Sequence, residues 1–211
     1  MFPSLQLEVM DRFTAVEQFF RKSPKSGELG QTAKGLVFVQ IYAVYEHTVK
    51  NITRLAIAEI VAHGHLYSDL SAPLLAIFLD AQLKAIRDCS ESRAWETRLD
   101  LLEKSLSPTP ITAVATIPHD GSHFKHTQAN IILKSLGIKR KLTVRRHQPY
   151  RIDEVVTHRN SVAHGEETAR DIGKRYSRPD IWRRIRLIKA VCLRLIAITS
   201  QHCSDPVRHR R

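Results

Sequence analysis

The residues best suited to chemistry lie close together in the last third of the chain, in the sequence PYRIDEVVTHRNSVAHG. An apolar stripe that begins at Ile152 places Arg159 on the packing face of a predicted helix, where a charge needs a partner or a cleft. His164 follows, and an imidazole with an ordinary pKa of about 6.5 can accept and donate protons near neutrality. A guanidinium can hold a phosphate and offset the charge that builds on its oxygens. These two groups are sufficient to cut RNA without a metal, the histidine moving a proton to or from the 2′-hydroxyl or the leaving 5′-oxygen.

The spacing of these residues limits what one helix can do alone. Asn160 and His164 share one side of a helix, whereas Arg159 and His164 are separated by about 140° around its axis. One helix therefore aims both at one small target only if its last turn unwinds. Two such helices across a symmetric interface would gather two arginines and two histidines in one cleft. In the alternative reading, Arg159 pairs with a carboxylate and His164 caps the end of the helix.

Helical periodicity governs most of the chain. Apolar spacing and capping residues predict helices over residues 5–21, 32–62, 72–86, 92–106, 127–137, 149–165 and 177–199. A proline-rich loop is expected near residues 107–124, because prolines interrupt any helix there. We therefore predict an all-α helical bundle with two long central helices, as a single domain over residues 1–205. Residues 206–211 would form a frayed basic tail.

Composition narrows the class of protein. Apolar residues make up 43% of the 211 residues, which is enough for a sizeable core. The longest uncharged apolar stretch, residues 35–45, is far shorter than the roughly 20 residues that a membrane span needs. The first residues lack the pattern of a secretory signal, and Cys89, Cys192 and Cys203 form no CxxC pair. These features predict a protein of the reducing cytoplasm with no membrane association.

The formal net charge of +12 is confined to the C-terminal third. Residues 1–138 contain 14 Lys and Arg and 14 Asp and Glu, whereas residues 139–211 contain 19 and 7. Such one-sided charge attracts polyanions, of which RNA and DNA are the commonest inside cells, although a solvated basic surface or an acidic protein partner are alternatives. The expected RNA-binding residues are Lys139, Arg140, Lys141, Arg145 and Arg146. The residues expected to project from the last helix are Arg183, Arg184, Arg186, Lys189 and Arg194.

The sequence RNSVAH at residues 159–164 resembles the Arg-Asn-x-x-x-His signature of the HEPN superfamily, helical proteins of prokaryotic defence and eukaryotic RNA decay. The earlier helix LVFVQIYAVYEHTVKNITRL is similar to the central helix of that family, with Glu46 as its acidic position. The segment ANIILKSLGI resembles a stretch that precedes the motif in bacterial members of the MAE_28990-like and RiboL-PSP-like groups. The resemblance spans residues 33–200.

The resemblance implies a homodimer whose paired motif helices form a composite active site. It also implies a metal-independent endoribonuclease that leaves a 2′,3′-cyclic phosphate and a 5′-hydroxyl. Arg159 and His164 would be catalytic, and Asn160 would orient the site. Glu46 would hold Arg159 in place; an ordinary i,i+4 surface pair with Lys50 is an equal alternative.

Our sequence-based hypothesis is a toxin or defence effector that cuts RNA, with a cognate antitoxin protein as a further partner. Family members that only bind make a non-catalytic RNA- or protein-binding scaffold the alternative function. A DNA-binding regulator is a third reading, without a clear helix-turn-helix to support it. No Walker loop and no GxGxxG motif is present in the sequence, so no cofactor is expected.

Two histidine-rich stretches carry weaker signals. His119, His123 and His126 match no strong zinc template, so we expect no metal site there. His63 and His65 flank a glycine and are expected to mark the end of a helix.

Overall fold

The computed structural model describes residues 1–112, 123–143 and 145–210. These residues are mostly helical and contain no β-strand, which confirms the predicted all-α fold. The α-helices of the described ranges are α1 (Phe2–Lys22), α2 (Gly27–Ala62), α3 (Ala72–Phe78), α4 (Asp80–Asp88), α5 (Ala94–Leu106), α6 (His126–Ser135), α7 (Gln148–Ala163), α8 (Ala169–Lys174) and α9 (Arg178–Cys203). With 36 and 26 residues, α2 and α9 are the two long helices that the sequence predicts. None of the described helices combines the length and the apolar character needed to cross a bilayer.

The chain divides into two compact units. Unit 1 comprises Met1–Ile52, Gly121–Asn130 and Lys141–Ala197, and unit 2 comprises Thr53–Asp120, Ile131–Arg140 and Ile198–Arg211. Helices α2, α6 and α9 each contribute residues to both units. The helix that carries the Arg-Asn-x-x-x-His motif, α7, lies wholly in unit 1, so the candidate site belongs to that unit.

Unit 1 is built from apolar faces that follow helical spacing. On α1 the buried side chains recur every three or four positions, at Phe2, Leu5, Val9, Phe13, Val16 and Phe20. The first half of α2 is buried on most sides, as expected for a central helix, through Val37, Phe38, Ile41, Tyr42 and Tyr45. On α7 the apolar face consists of Ile152, Val155 and Val156. Burial of side chains of this size stabilises a fold by about 1.5–3 kcal/mol each, so the first half of α7 is firmly held.

Two glycines let α8, the short helix that follows the motif, lie directly against α2. Gly35 contacts the backbone of Ala169, and Gly173 contacts the backbone carbonyl of Gln31. A Cβ atom at either position would overlap that backbone, so only glycine fits. The sequence does not predict α8, because six residues are too few to show a helical period.

Three local predictions are wrong. The helix expected over residues 72–86 is two helices, because Leu79 leaves helical geometry with φ −107° and ψ 13°. The tail expected to fray forms a 3₁₀ helix over Pro206–His209, and the His209 side chain is fully buried. Arg184, expected to project from α9, is buried with 5% of its surface exposed. Its guanidinium carbon lies 4.3 Å from the centroid of the Tyr176 ring, and it pairs with the Glu154 carboxylate on α7.

Candidate active site

The end of α7 brings His164 out of the helix. The last helical residue is Ala163, and His164 has φ −90° and ψ 0°, with its N–H donating to the Asn160 carbonyl at 2.9 Å. Gly165 follows with φ +72°, a conformation that glycine adopts without strain. The His164 side chain is exposed to solvent. The helix therefore ends one residue before the imidazole that the motif supplies.

Arg159 lies half-buried against an aromatic ring. Its guanidinium carbon is 4.9 Å from the centroid of the Tyr42 ring on α2, within the range of a cation–π interaction. Its Nη1 also donates to Oδ1 of Asn160 at 3.1 Å. Within the described ranges of the chain, no carboxylate forms an ion pair with Arg159. The positive charge is thus held in place by groups that do not neutralise it.

Tyr42 and His123 connect Arg159 to His164. The centroid of the His123 ring lies 6.3 Å from that of Tyr42 and 6.4 Å from that of His164, with the rings steeply inclined to each other. Tyr42 is not among the residues predicted from the sequence, and His123 is weighed there only as a metal ligand. Tyr42 lies one helical turn before Glu46 on α2. The family resemblance marks Glu46 as an acidic position, and that position was the available signal that this part of α2 lies near the site.

Glu46 forms an ion pair with Lys50, the residue four positions later on α2. Its Oε1 accepts a bond from Nζ of Lys50 at 2.7 Å, and no ion pair joins it to Arg159 among the described residues. Burial is the main cause that raises the pKa of the Tyr42 phenol, and the charge of the Glu46 carboxylate raises it further. The bond with the Phe124 backbone and the charge of Arg159 act in the opposite direction.

A network of polar side chains fixes α7 to α9 just before the motif. Glu154 accepts two bonds from Arg184, at 2.8 and 3.0 Å, and one from the Tyr176 hydroxyl at 3.1 Å. The same hydroxyl lies 2.6 Å from Nε2 of His158, the neighbour of Arg159. Burial raises the pKa of Tyr176 to about 12, with the Glu154 charge adding to the effect. Burial also lowers the pKa of His158.

The charge balance of this network favours an ionised Glu154. Burial acts to raise the pKa of its carboxyl, but the bonds and charges of Arg184 and Arg151 lower it overall. An ion pair as buried as this one costs several kcal/mol to break, since one charge is left without a partner. Glu154 and Arg184 therefore set the position of α7 relative to α9 within unit 1.

The histidines near the start of α6 make different contacts. His126 begins α6, where its backbone N–H and its Nδ1 meet the two carboxylate oxygens of Asp153 on α7 at 2.7 and 3.1 Å. His123 belongs to the site around Tyr42, and His119 lies outside the described residues. In the described part of the chain, no group of three His, Cys, Asp or Glu residues is arranged to hold a metal ion.

The residues predicted to bind RNA are exposed and fall in both units. Lys139 and Arg140 belong to unit 2, and Lys141, Arg145 and Arg146 belong to unit 1. Arg140 donates to Gln201 at 2.7 Å, and the carbonyl of Lys141 accepts from Arg194. Three of the five predicted residues therefore belong to the same unit as the candidate site.

An all-α protein with Arg159 and Asn160 on its motif helix and His164 at the exposed end belongs to the HEPN superfamily. The chain belongs to the MAE_28990-like HEPN family, whose model matches residues 14–180. The match includes α2, α7 and the whole motif, and it confirms the resemblance that the sequence indicates. No curated protein and no solved structure gives a significant match to the chain.

Proposed function

We propose that this protein is a metal-independent endoribonuclease of the HEPN type, with residues 1–205 as its HEPN-like domain. The observation that carries the proposal is the line of side chains Arg159, Tyr42, His123 and His164. It combines an un-neutralised guanidinium with an exposed imidazole at the open end of a well-anchored helix. Membership of the HEPN family supports the same class of activity.

In the proposed reaction, the 2′-hydroxyl of one nucleotide attacks the phosphorus that links it to the next. His164 accepts the hydroxyl proton or donates a proton to the leaving 5′-oxygen, and His123 takes the complementary role, which a separation of 6.4 Å between the two ring centroids supports. Arg159 binds the non-bridging oxygens and offsets the charge of the transition state. The P–O5′ bond breaks, which leaves a 2′,3′-cyclic phosphate and a 5′-hydroxyl. Asn160 holds the guanidinium through its side-chain oxygen.

We further propose that the active form is a homodimer. The exposed end of α7 at Ala163, His164 and Gly165 leaves room for a second motif helix to complete the cleft. Light scattering should then give about twice the chain mass of 24.1 kDa. A role as a cytoplasmic toxin or defence effector, restrained by an antitoxin protein, is the biological setting that this activity suits.

The decisive experiment is cleavage of end-labelled RNA in EDTA by the wild type and by His164→Ala. We expect the wild type alone to cut and to leave cyclic-phosphate ends. His47→Ala is the matched control, because the described side-chain partners of His47 are Glu8, at 2.9 Å, and Asn51, both outside the candidate site, so it should cut like the wild type. RNA that is bound but never cut by the wild type would favour the non-catalytic binding module.

A further inference from the structure

A second basic feature of unit 1 lies at the opposite end of α7 from His164. The residues before α7, its first turn and the first half of α9 border a cleft of about 410 Å³. The basic residues on its walls are Arg145, His147, Arg151, Arg183, Arg184 and Arg186. Arg145 and His147 precede α7, whereas three of the arginines come from α9, so the chain order does not reveal this grouping.

The positive charge of the cleft exceeds what its carboxylates neutralise. Arg184 and Arg151 share Glu154 as an acceptor, and Arg183 approaches Asp180 only to 3.4 Å. Five arginines of the cleft are thus balanced by two carboxylates, those of Glu154 and Asp180. In the described chain neither Arg145 nor Arg186 forms an ion pair, and the Nε of Arg186 donates to a neutral carbonyl, that of Trp182.

Guanidinium groups fit one ligand chemistry better than others. Each presents a planar set of donors that matches the oxygens of a phosphate, and a cluster of them tracks a chain of phosphates. Apolar wall residues are scarce, with Leu187 as the one large aliphatic side chain of the lining. This composition disfavours an apolar ligand and favours a polyanion with a hydrophilic backbone.

We propose that this cleft binds phosphates of the RNA strand at a distance from the bond that is cut, a role that rests on the proposed function. Arg151 precedes His164 by 13 residues along α7 and its end, which is about 20 Å at the rise of an α-helix. A phosphate bound in the cleft is therefore separate from the scissile one. The cleft holds the substrate and raises its affinity, and it takes no part in the chemical step.

The test compares two double variants of equal charge in a background that does not cut, His164→Ala. Arg183→Gln/Arg186→Gln removes two exposed arginines of the cleft, and Arg12→Gln/Arg21→Gln removes two exposed arginines of α1. Binding of a fluorescein-labelled single-stranded RNA is measured by anisotropy over a range of salt concentrations. We expect the cleft variant to raise the Kd about 10-fold at low salt and to reduce the slope of log Kd against log salt by about 1.4, since each lost phosphate contact in a single strand contributes about 0.7.

The outcomes separate this inference from the proposed function. Equal losses of affinity in the two double variants would overturn the cleft as an RNA site, even if the wild type cuts RNA. A selective loss in the cleft variant would support it, even if the wild type never cuts. Displacement of the RNA by ATP or by polyglutamate at comparable charge concentrations would also overturn it, because the cleft would then serve a mononucleotide or an acidic protein.

Discussion

Two groups of histidines in the described part of the chain differ in burial. The first, in unit 1, consists of His123, which is partly exposed, and His164, which is exposed. The second, which we name the packed histidine group, lies in unit 2 and consists of His63, His65, His202 and His209. In the packed group, Nε2 of His65 lies 3.0 Å from Nδ1 of His209, and Nε2 of His63 lies 2.9 Å from the Cys203 carbonyl. Its neighbouring rings are 5.1 to 5.9 Å apart.

The imidazoles of the packed histidine group that are most deeply buried have altered pKa values. Burial lowers the pKa of His65 and His202, and burial together with the neighbouring imidazoles lowers that of His209 to about 4. Burial therefore favours the neutral form of these three imidazoles. His164, by contrast, is exposed, and the rings of His123 and Tyr42 connect it to a guanidinium that no described carboxylate neutralises. Clustering of imidazoles therefore does not by itself mark a functional site, and under the proposed function the histidine that acts is the exposed one.

The largest effect that this comparison predicts is on activity. His164→Ala should lower the rate of RNA cleavage by about 10²–10⁴-fold, the usual contribution of a positioned acid or base. Its melting temperature should stay that of the wild type, because the side chain is exposed and outside α7. His209→Ala should show the reverse, with a lower melting temperature and near-normal cleavage at a temperature where it is folded.

The measurements are the melting temperature and the rate of RNA cleavage of both variants, His164→Ala and His209→Ala. If His209→Ala, while folded, lost activity as severely as His164→Ala, the division into a reactive and a structural group would fail.

The second effect concerns His123, which the comparison places with the reactive group. If His123 supplies the complementary proton transfer, His123→Ala should reduce cleavage by about 10²-fold, the lower end of the range for such groups. Single-turnover rates at saturating RNA should fall while RNA affinity stays within twofold. An unchanged single-turnover rate would remove His123 from the mechanism and leave His164 as the only imidazole of this line.

The side chains of the candidate site differ in whether the sequence alone could predict them. Arg159, Asn160 and His164 lie within six residues of one another, so a local motif was enough to find them. The helical periods of α1, α2, α7 and α9 were equally local, and the sequence predicted those helices. Tyr42 and His123 are brought to the motif only by the packing of α2 and of the segment before α6. No local pattern records that contact.

The pair of Glu154 and Arg184 makes the same point with charges. These residues are 30 positions apart, and each has an ordinary role in its own helix when the sequence alone is considered. Glu154 fits the acidic first turns of α7, and Arg184 fits a row of arginines on α9. Only the tertiary structure shows that burial selects Arg184 from that row. It also shows which of its neighbours remain free to line the basic cleft.

The third effect is a pH dependence of the free energy of unfolding, which arises from His209 in the packed histidine group. The unfolded chain protonates His209 near its ordinary pKa of 6.5, whereas the folded protein does so only near about 4. Stability is therefore complete above the unfolded pKa and decreases as the pH falls towards the folded one. The free energy of unfolding should drop by about 2 kcal/mol from this residue between about pH 7.5 and about pH 5.

Urea denaturation at several pH values measures this dependence in the wild type and in two variants. His209→Leu should flatten the dependence, although His65 and His202 will retain part of it in the same direction. His147→Leu, a change at an exposed histidine of unit 1, should leave it unaltered. Equal slopes in all three proteins would show that His209 is not shielded from protons in the way its burial requires.

The smallest expected effect is at Glu46, where the two readings of the sequence diverge most. Its bond with Lys50 lies on the surface, and such i,i+4 pairs contribute about 0.2–0.5 kcal/mol to a helix. Glu46→Gln should therefore change the free energy of unfolding by no more than that and leave cleavage within twofold. If Glu46 instead oriented Arg159 in the RNA complex, the same variant would lose cleavage while remaining folded. Lys50→Gln discriminates between the two, since it breaks the surface pair but leaves the Glu46 carboxylate in place. Loss of activity in Glu46→Gln alone would move Glu46 from a surface pair to a positioning residue for Arg159.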